Sequence, residues 1–418
     1  MSPIISKISL YLWLLAGPTL LLSIFACGVG TAKESAAKEE SDTIHTPADR
    51  PLADFQKDLL ELAFDTATAI PTAPHIKDRC KTQAEVVAAC LELGQAGRAL
   101  GYLEKIDNWR RGACYADLGF YCAQQGEEES ARRCLDFASE ISKNAEDWRR
   151  DTIRIKIAKT YTLLGQNNMS DLFAKDVVDS EKGKVAGAKA MTGDKGSFDE
   201  QMQALDALIE PGNFDILRNA LEACAQLFNR FYNDAPRRAQ AEEKIKTSWD
   251  PMPIFIRIDL LLEMAGFALD HADQAKALEL VNEARDLLDA CKWPLKNHIA
   301  MAAKLAALRF QAGDQEKARA EADAELALYR EEGDKIVSIW RAGALRPLAE
   351  AYQAMDDTDA ALDVYRLAVE EGVVNPNSRP RAEDLSATCC SMALHAADPD
   401  AELWTQMRQI REGLGQPW

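Results

Sequence analysis

The residue patterns that usually support catalysis are missing from this sequence. Metal-dependent hydrolases need ligands at helical spacing, as in H-E-x-x-H, and that motif does not occur. The glycine-containing segment 187–195 lacks the spacing of a phosphate-binding loop, and no G-x-S-x-G turn is present. The sequence therefore predicts no metal, no cofactor and no catalytic nucleophile. The histidines are isolated from one another: His45, His75, His271, His298 and His395.

Carboxylates are abundant: 67 of the 418 residues are Asp or Glu. Glycan-cleaving enzymes built as helical toroids use a pair of such acids, so this chemistry stays open. The run Glu127-Glu128-Glu129 instead suits the start of a helix, where the helix dipole favours negative charge facing water. The net charge of −18 repels a polyanion, and we expect no nucleic-acid partner.

The ten cysteines do not form a disulfide pattern, because no C-x-x-C pair occurs and their spacing is uneven. Cys114, Cys122 and Cys134 lie among apolar residues, which favours packing as small hydrophobic side chains. If Cys27 belongs to an export signal, nine cysteines remain. An odd number cannot all pair among themselves.

The first 32 residues are predicted to target the chain to a membrane or for export. Lys7 precedes an apolar run over residues 8–26, which indicates a secretory signal or an anchor. The run ends Ile24-Phe25-Ala26-Cys27-Gly28, which resembles a bacterial lipoprotein signal and implies a lipid on the Cys27 sulfur; Phe25 departs from that pattern. Cleavage after residue 32 and a retained 19-residue anchor are the alternatives. Each of them places the folded part outside the cytoplasm, at the cell envelope, and residues 33–51 form a charged linker.

The remainder, residues 52–418, predicts an all-α fold. Apolar residues recur three and four apart, period-two alternation is missing, and short turns follow at regular intervals. Short turns make consecutive helices antiparallel neighbours. We expect about 18 helices in one continuous α-solenoid of eight to nine helix pairs, with divergent repeats over 171–250 and a loop at 192–197.

Small residues recur early in the second helix of each pair, and they carry a family resemblance. Around Ala131 the pattern Leu118, Gly119, Cys122, Leu135, Ala138 resembles a tetratricopeptide repeat, and Leu348, Ala349, Tyr352, Ala361, Tyr365, Ala368 repeats it. The aligned small residues lie 32, 39, 107, 41 and 43 residues apart, and repeats near 42 residues exceed the family's usual length of about 34. The helices are therefore expected to be longer than in that family. The aligned small residues are Ala99, Ala131, Ser170, Ala277, Ala318 and Ala361.

The resemblance implies a concave groove lined by the first helices. At the groove positions stand Lys159 and Thr162 in one repeat and Phe310 in another. A third repeat places Arg346, Glu350 and Gln353 there. The Lys/Asn clamp by which some relatives hold a peptide carboxylate does not occur at these positions. The partner implied is a helix or extended segment of another protein.

These observations favour a non-enzymatic interaction scaffold held at or exported to the bacterial cell envelope. The alternatives are an exported glycan-active hydrolase shaped as a helical toroid, and an envelope component that binds lipid or polymer. Shape discriminates between the first two. An open superhelix favours the scaffold, whereas a closed ring with converging carboxylates favours the enzyme.

Overall fold

A computed structural model describes residues 44–175, 177, 184, 185, 187, 198–209 and 213–418. Residues Thr46–Trp418 form one compact unit. The apolar run 8–26, Cys27 and the predicted loop 192–197 lie outside the described residues. None of the described helices is long and apolar enough to cross a membrane.

The predicted all-α solenoid is confirmed. The described residues contain eighteen α-helices, one short 3₁₀ turn at Gly333–Lys335, and no β-strand. The helices are α1 (Asp54–Ala69), α2 (Thr72–Glu92), α3 (Ala96–Leu103), α4 (Arg110–Gln124), α5 (Glu128–Lys143), α6 (Asp147–Leu163), α7 (Asn167–Ala174), α8 (Phe198–Ile209), α9 (Phe214–Arg230), α10 (Ala235–Ser248), α11 (Ile254–Asp270), α12 (Gln274–Asp289), α13 (Leu295–Gln311), α14 (Gln315–Glu332), α15 (Ser338–Ala354), α16 (Thr358–Gly372), α17 (Ser378–Leu394) and α18 (Ala401–Glu412).

One turn type ends most first helices and starts the second helix of the pair. A residue with positive φ follows the helix, for example Gly94 at 72° and Asp356 at 59°. The next amide then donates back into the last helical turn: Gln95 N lies 2.8 Å from Cys90 O, and Asp357 N lies 3.0 Å from Tyr352 O. This bond satisfies a carbonyl that the helix end leaves free, and it fixes the reversal between the helices. The same turn occurs at residues 126, 165, 272, 313 and 396.

The small residues aligned in the sequence lie where paired helices cross. A Cβ atom added at Gly119 would lie 3.2 Å from Ala131 O, which is too close unless α5 moves away from α4. Such close approach explains why both helices of a pair need small residues at the crossing. The six aligned residues have no exposed surface: Ala99, Ala131, Ser170, Ala277, Ala318 and Ala361.

The N-terminal helix completes the last helix pair. Helix α1 packs along α17 as a second helix packs on its first. Gln56 Nε2 donates to Ala393 O at 2.8 Å, and Ser386 Oγ donates to Ala63 O at 3.1 Å. Helix α18, which follows α17 in the chain, makes a smaller contact with it and approaches α1, where Arg411 Nε lies 2.7 Å from Asp65 Oδ2.

Helix α1 also packs against the first pair, so the succession of helices closes on itself. The Phe64 ring stacks on the Tyr102 ring of α3 with centroids 4.0 Å apart, and α2 contacts both α1 and α17. Of an open superhelix and a closed ring, the described helices therefore form the closed ring. The course of the chain between α7 and α9 is described only in part. We call the space enclosed by the first helices the lumen.

The compact unit begins before α1. Arg50 N donates to Gly94 O at 3.0 Å, and Gln95 Nε2 donates to Arg50 O at 2.6 Å. The Asp49 carboxylate accepts from Gly97 N at 2.7 Å. Asp49 and Arg50, which the predicted linker 33–51 includes, therefore lie bound to the turn between α2 and α3.

Shortening a buried side chain of α1 tests whether this helix is an integral member of the ring. Leu60 is fully buried, so we expect Leu60→Ala to lower the free energy of unfolding by about 2–5 kcal/mol. Glu61→Ala, one residue away and exposed, should change it by less than about 0.5 kcal/mol. Urea titration followed by circular dichroism measures both values. Equal, small effects would show that α1 does not contribute to the packed ring.

Candidate functional site

The candidate site is a cavity of about 450 Å³ in the lumen. Four first helices, α4, α6, α9 and α11, line it with one face each. Among the described residues, 184 and 187 from the partly described stretch also line it. Residues three or four apart share a helix face, so each helix contributes a short row of side chains. The volume of the cavity lies in the range of about 300–1,000 Å³ that is usual for ligand sites.

One wall of the cavity is acidic and belongs to α9 and α11. Glu222 lies on α9, and Asp259 and Glu263 lie one turn apart on α11. Arg218 Nε lies 2.9 Å from Glu222 Oε1 within α9. Gln226 Nε2 donates to Glu263 Oε1 at 2.7 Å and so connects the two helices.

Two carboxyl groups of the acidic wall, those of Asp259 and Glu263, have raised pKa values. Burial, together with the negative charge of Glu222 and Asp259, raises the pKa of Glu263 to about 7, although the Gln226 hydrogen bond opposes the change. Burial also raises the pKa of Asp259, while Lys304 and Arg218 counteract that increase. Near neutral pH the Glu263 side chain is therefore divided between its charged and neutral forms.

The other wall is basic and belongs to α4 and α6. Lys156 Nζ lies 2.5 Å from Asp117 Oδ1, which joins the two helices. Lys159 Nζ lies 4.3 Å from the centroid of the Phe120 ring, in a cation–π contact. Burial lowers the pKa of Lys159, although the Asp117 carboxylate opposes the change.

Apolar side chains of both walls also line the cavity. Ile155 and Ala116 are contributed from the basic side, and Ala223, Ile256 and Leu260 from the acidic side. A ligand with charges at its ends and an apolar middle matches this distribution. No three His, Cys, Asp or Glu side chains among the described residues are arranged to hold a metal ion.

The predicted groove residues of α6 divide between the lumen and the core. Lys159 lines the cavity, as its groove assignment requires. Thr162 does not, and its assignment is corrected: the side chain is only 3% exposed. Its hydroxyl donates to Ala158 O at 3.0 Å and lies 2.8 Å from Ser170 Oγ on α7. Thr162 therefore joins the two helices of its pair.

The groove residues predicted on α13 and α15 lie outside the cavity lining. Arg346 Nη1 donates to Asp384 Oδ1 on α17 at 3.1 Å, and Glu350 Oε1 accepts from Ser391 Oγ at 2.6 Å. Arg346 and Glu350 hold neighbouring first helices together, so their removal would weaken the ring itself. Phe310 is half-buried on α13, and Gln353 is half-buried on α15.

The position two residues before the small first-helix residue was not among the predicted groove positions. Asp117, Lys156 and Glu263 occupy that position in three repeats, and all three line the cavity. The available signal was a charged residue recurring on first helices whose other faces are apolar. Glu222 and Asp259 had no repeat-based signal, because α9 lies in the divergent segment and Asp259 lies one turn earlier on α11.

The cysteines take no part in this site. Eight of the nine described cysteines are buried, Cys291 is partly buried, and none of the nine forms a disulfide. Burial raises the pKa of Cys114 and of Cys224 to about 12, which disfavours the reactive thiolate. These side chains pack as small apolar groups.

Comparison with known proteins gives no relative from which a function can be transferred. No protein-family model and no curated protein matches the chain. One similar solved structure is described as "Circular tandem repeat protein with novel repeat topology and enhanced subunit contact surfaces". The match covers 86% of this chain and 94% of that one, with 13% identity and a TM-score of 0.26. A likeness this distant says nothing about what the present chain binds.

Stability should depend on pH through Glu263. Its pKa in the folded protein is about 7, against about 4.3 in an unfolded chain, so the folded state binds the proton more tightly. The stability that this proton contributes is full below about pH 4 and is lost as the pH rises through 7. Glu263→Gln stays neutral and can still accept from Gln226. We expect its stability relative to the unsubstituted protein to be higher at pH 8 than at pH 5, by about 1–3 kcal/mol.

Urea titrations of both proteins at pH 5 and pH 8 measure this difference. A difference that is the same at both pH values would contradict the assignment of a raised pKa to Glu263.

Proposed function

We propose that this chain is a non-enzymatic capture module that binds a short polar segment of another protein in its lumen. The observation that carries the proposal is the cavity in which an acidic wall on α9 and α11 faces a basic wall on α4 and α6. Charged groups at fixed positions provide specificity, while the apolar side chains between them provide contact area. The tetratricopeptide-like character of the repeats belongs to this proposal.

The proposed binding site is the lumen, and not the groove that the repeat resemblance implies. A groove along an open arc would use the positions predicted on α13 and α15, but Arg346 and Glu350 are engaged with α17. The lumen uses the same kind of first-helix face at α6, where Lys159 stands. A short segment or chain end therefore suits the cavity volume better than a long helix does.

Attachment to the cell envelope is also part of the proposal. The apolar run 8–26 and the lipoprotein-like Cys27 support export and membrane association, with the compact unit on the outer side of that membrane. In that position the ring would bind an exported partner, and the charged linker would let it reach that partner.

A second function, glycan hydrolysis, has three observations in its favour: the closed ring, the carboxylates that converge from α9 and α11, and the raised pKa of Glu263. Glycoside hydrolysis needs a protonated acid beside an ionised carboxylate, and Glu263 has a raised pKa next to Glu222. The apolar inner surface expected for lipid binding has less support, because eight of the eighteen described residues that line the cavity are charged. Release of reducing ends from envelope glycans by the unsubstituted protein, abolished by Glu263→Gln, would establish the enzyme instead of the capture module.

A paired substitution tests the capture function. Glu222→Gln combined with Lys159→Gln removes one charge of each sign from the lumen. Glu128→Gln combined with Arg132→Gln removes the same charges from the exposed surface of α5, where Arg132 Nη2 lies 3.1 Å from Glu128 Oε2. Each charged hydrogen bond contributes about 1.5–3 kcal/mol, so the lumen variant should capture its partner at least about tenfold more weakly.

Quantitative mass spectrometry of proteins retained from the native membrane fraction measures capture by each variant. The surface variant should retain the partner to within about twofold of the unsubstituted protein, since exposed ion pairs contribute little. Equal retention by the lumen variant and the surface variant would refute the lumen as the binding site.

A further inference from the structure

We propose that the lumen selects ligands carrying both a cationic group and a carboxylate, joined by an apolar spacer. The cationic group, an ammonium or a guanidinium, lies against Glu222, Asp259 and Glu263, and the carboxylate lies beside Lys159. This inference rests on the proposed function and specifies the chemistry of the segment that is bound.

Among the described residues, the acidic wall carries more carboxylates than cations. Three carboxylates from α9 and α11 line it, Arg218 pairs with Glu222, and Lys184 also lines the cavity. Lys304 on α13 acts on Asp259, and Gln226 offers Glu263 only a neutral hydrogen bond. A ligand cation placed here would relieve the mutual repulsion of these carboxylates.

The basic wall, in turn, would be stabilised by a ligand group of negative charge. The Lys156 ammonium is bonded to Asp117, whereas the Lys159 ammonium lies over the Phe120 ring. An aromatic face stabilises a cation less than a carboxylate does, because the ring carries no net charge. A ligand carboxylate beside Lys159 would therefore improve its electrostatic surroundings.

The space between the walls sets the nature of the spacer. Ile155, Ala223, Ile256 and Leu260 offer apolar contact there, and an alkyl chain gains by burial against them. A free ω-amino acid meets all three requirements. So does a peptide segment that presents a basic side chain near an acidic side chain or a terminal carboxylate.

Calorimetric titration of the full chain at pH 7 tests the inference with three compounds of one length. 6-Aminohexanoate carries both charges, hexylamine carries only the cation, and hexanoate carries only the carboxylate. We expect 6-aminohexanoate to bind at least tenfold more tightly than either of the others. Shorter and longer ω-amino acids should bind more weakly on both sides of one optimal length, because the two walls are fixed.

Proton release provides a second readout from the same titrations. A ligand cation favours the ionised form of Glu263, so binding at pH 7 should release protons, detected as a dependence of the heat on the buffer's ionisation enthalpy. Glu263→Gln should bind without that component. The surface variant with Glu128→Gln and Arg132→Gln should bind and release protons as the unsubstituted protein does.

Equal affinity for all three compounds, or no binding of any of them, overturns the inference. If no compound binds while the lumen variant still loses its protein partner, the ligand class is wrong and the capture function stands. If 6-aminohexanoate binds as expected but protein capture is unaffected in the lumen variant, the ligand class stands and the capture function is wrong.

Discussion

The contact between α1 and α17 is the constraint on which the rest of the structure depends. A first helix needs a second helix to cover its apolar face, and α17 takes this cover from the opposite end of the compact unit. Gln56 and Ser386 fix the contact with hydrogen bonds to backbone oxygens across it. Because α1 and α2 both pack against α17, the first and the last of the described first helices adjoin each other. The inward faces of the first helices then surround a lumen instead of forming an open groove.

Closure of the ring changes the hydration and the mutual repulsion of the charged side chains on those inward faces. In an open arc, Glu222, Asp259 and Glu263 would be well hydrated and would repel one another weakly. In the lumen, reduced hydration strengthens that repulsion, and the pKa of Glu263 rises to about 7. The α9–α11 and α4–α6 walls are therefore costly for the free protein. A site of this kind is stabilised by a ligand of complementary charge, and this links the ring architecture to the proposed capture function.

The helix crossings and the turns could be predicted from the sequence, but the closure of the ring could not. Ala131 and the other aligned residues could be found because each repeat uses the same crossing, and the turn at Gly94 could be found because positive φ favours glycine. The pairing of α1 with α17 leaves no such signal, since Gln56 and Ala393 are 337 residues apart and α1 has the pattern of an ordinary amphipathic helix. Thr162 was misassigned for a related reason: groove positions inferred from shorter repeats do not face the lumen uniformly when the helices are longer.

Crosslinking between α1 and α18 tests the closed ring most directly. Arg411 lies 2.7 Å from Asp65, and Arg411→Lys would place a primary amine within reach of that carboxylate. Carbodiimide joins an amine to a carboxylate without a spacer, and the unsubstituted arginine provides the matched control because it does not form this amide. The account predicts an isopeptide bond between residues 65 and 411 in the monomeric fraction, identified by mass spectrometry of the digested protein. Absence of that bond from the monomer, under conditions where other lysine–carboxylate pairs such as Lys156 and Asp117 react, would contradict closure of the ring.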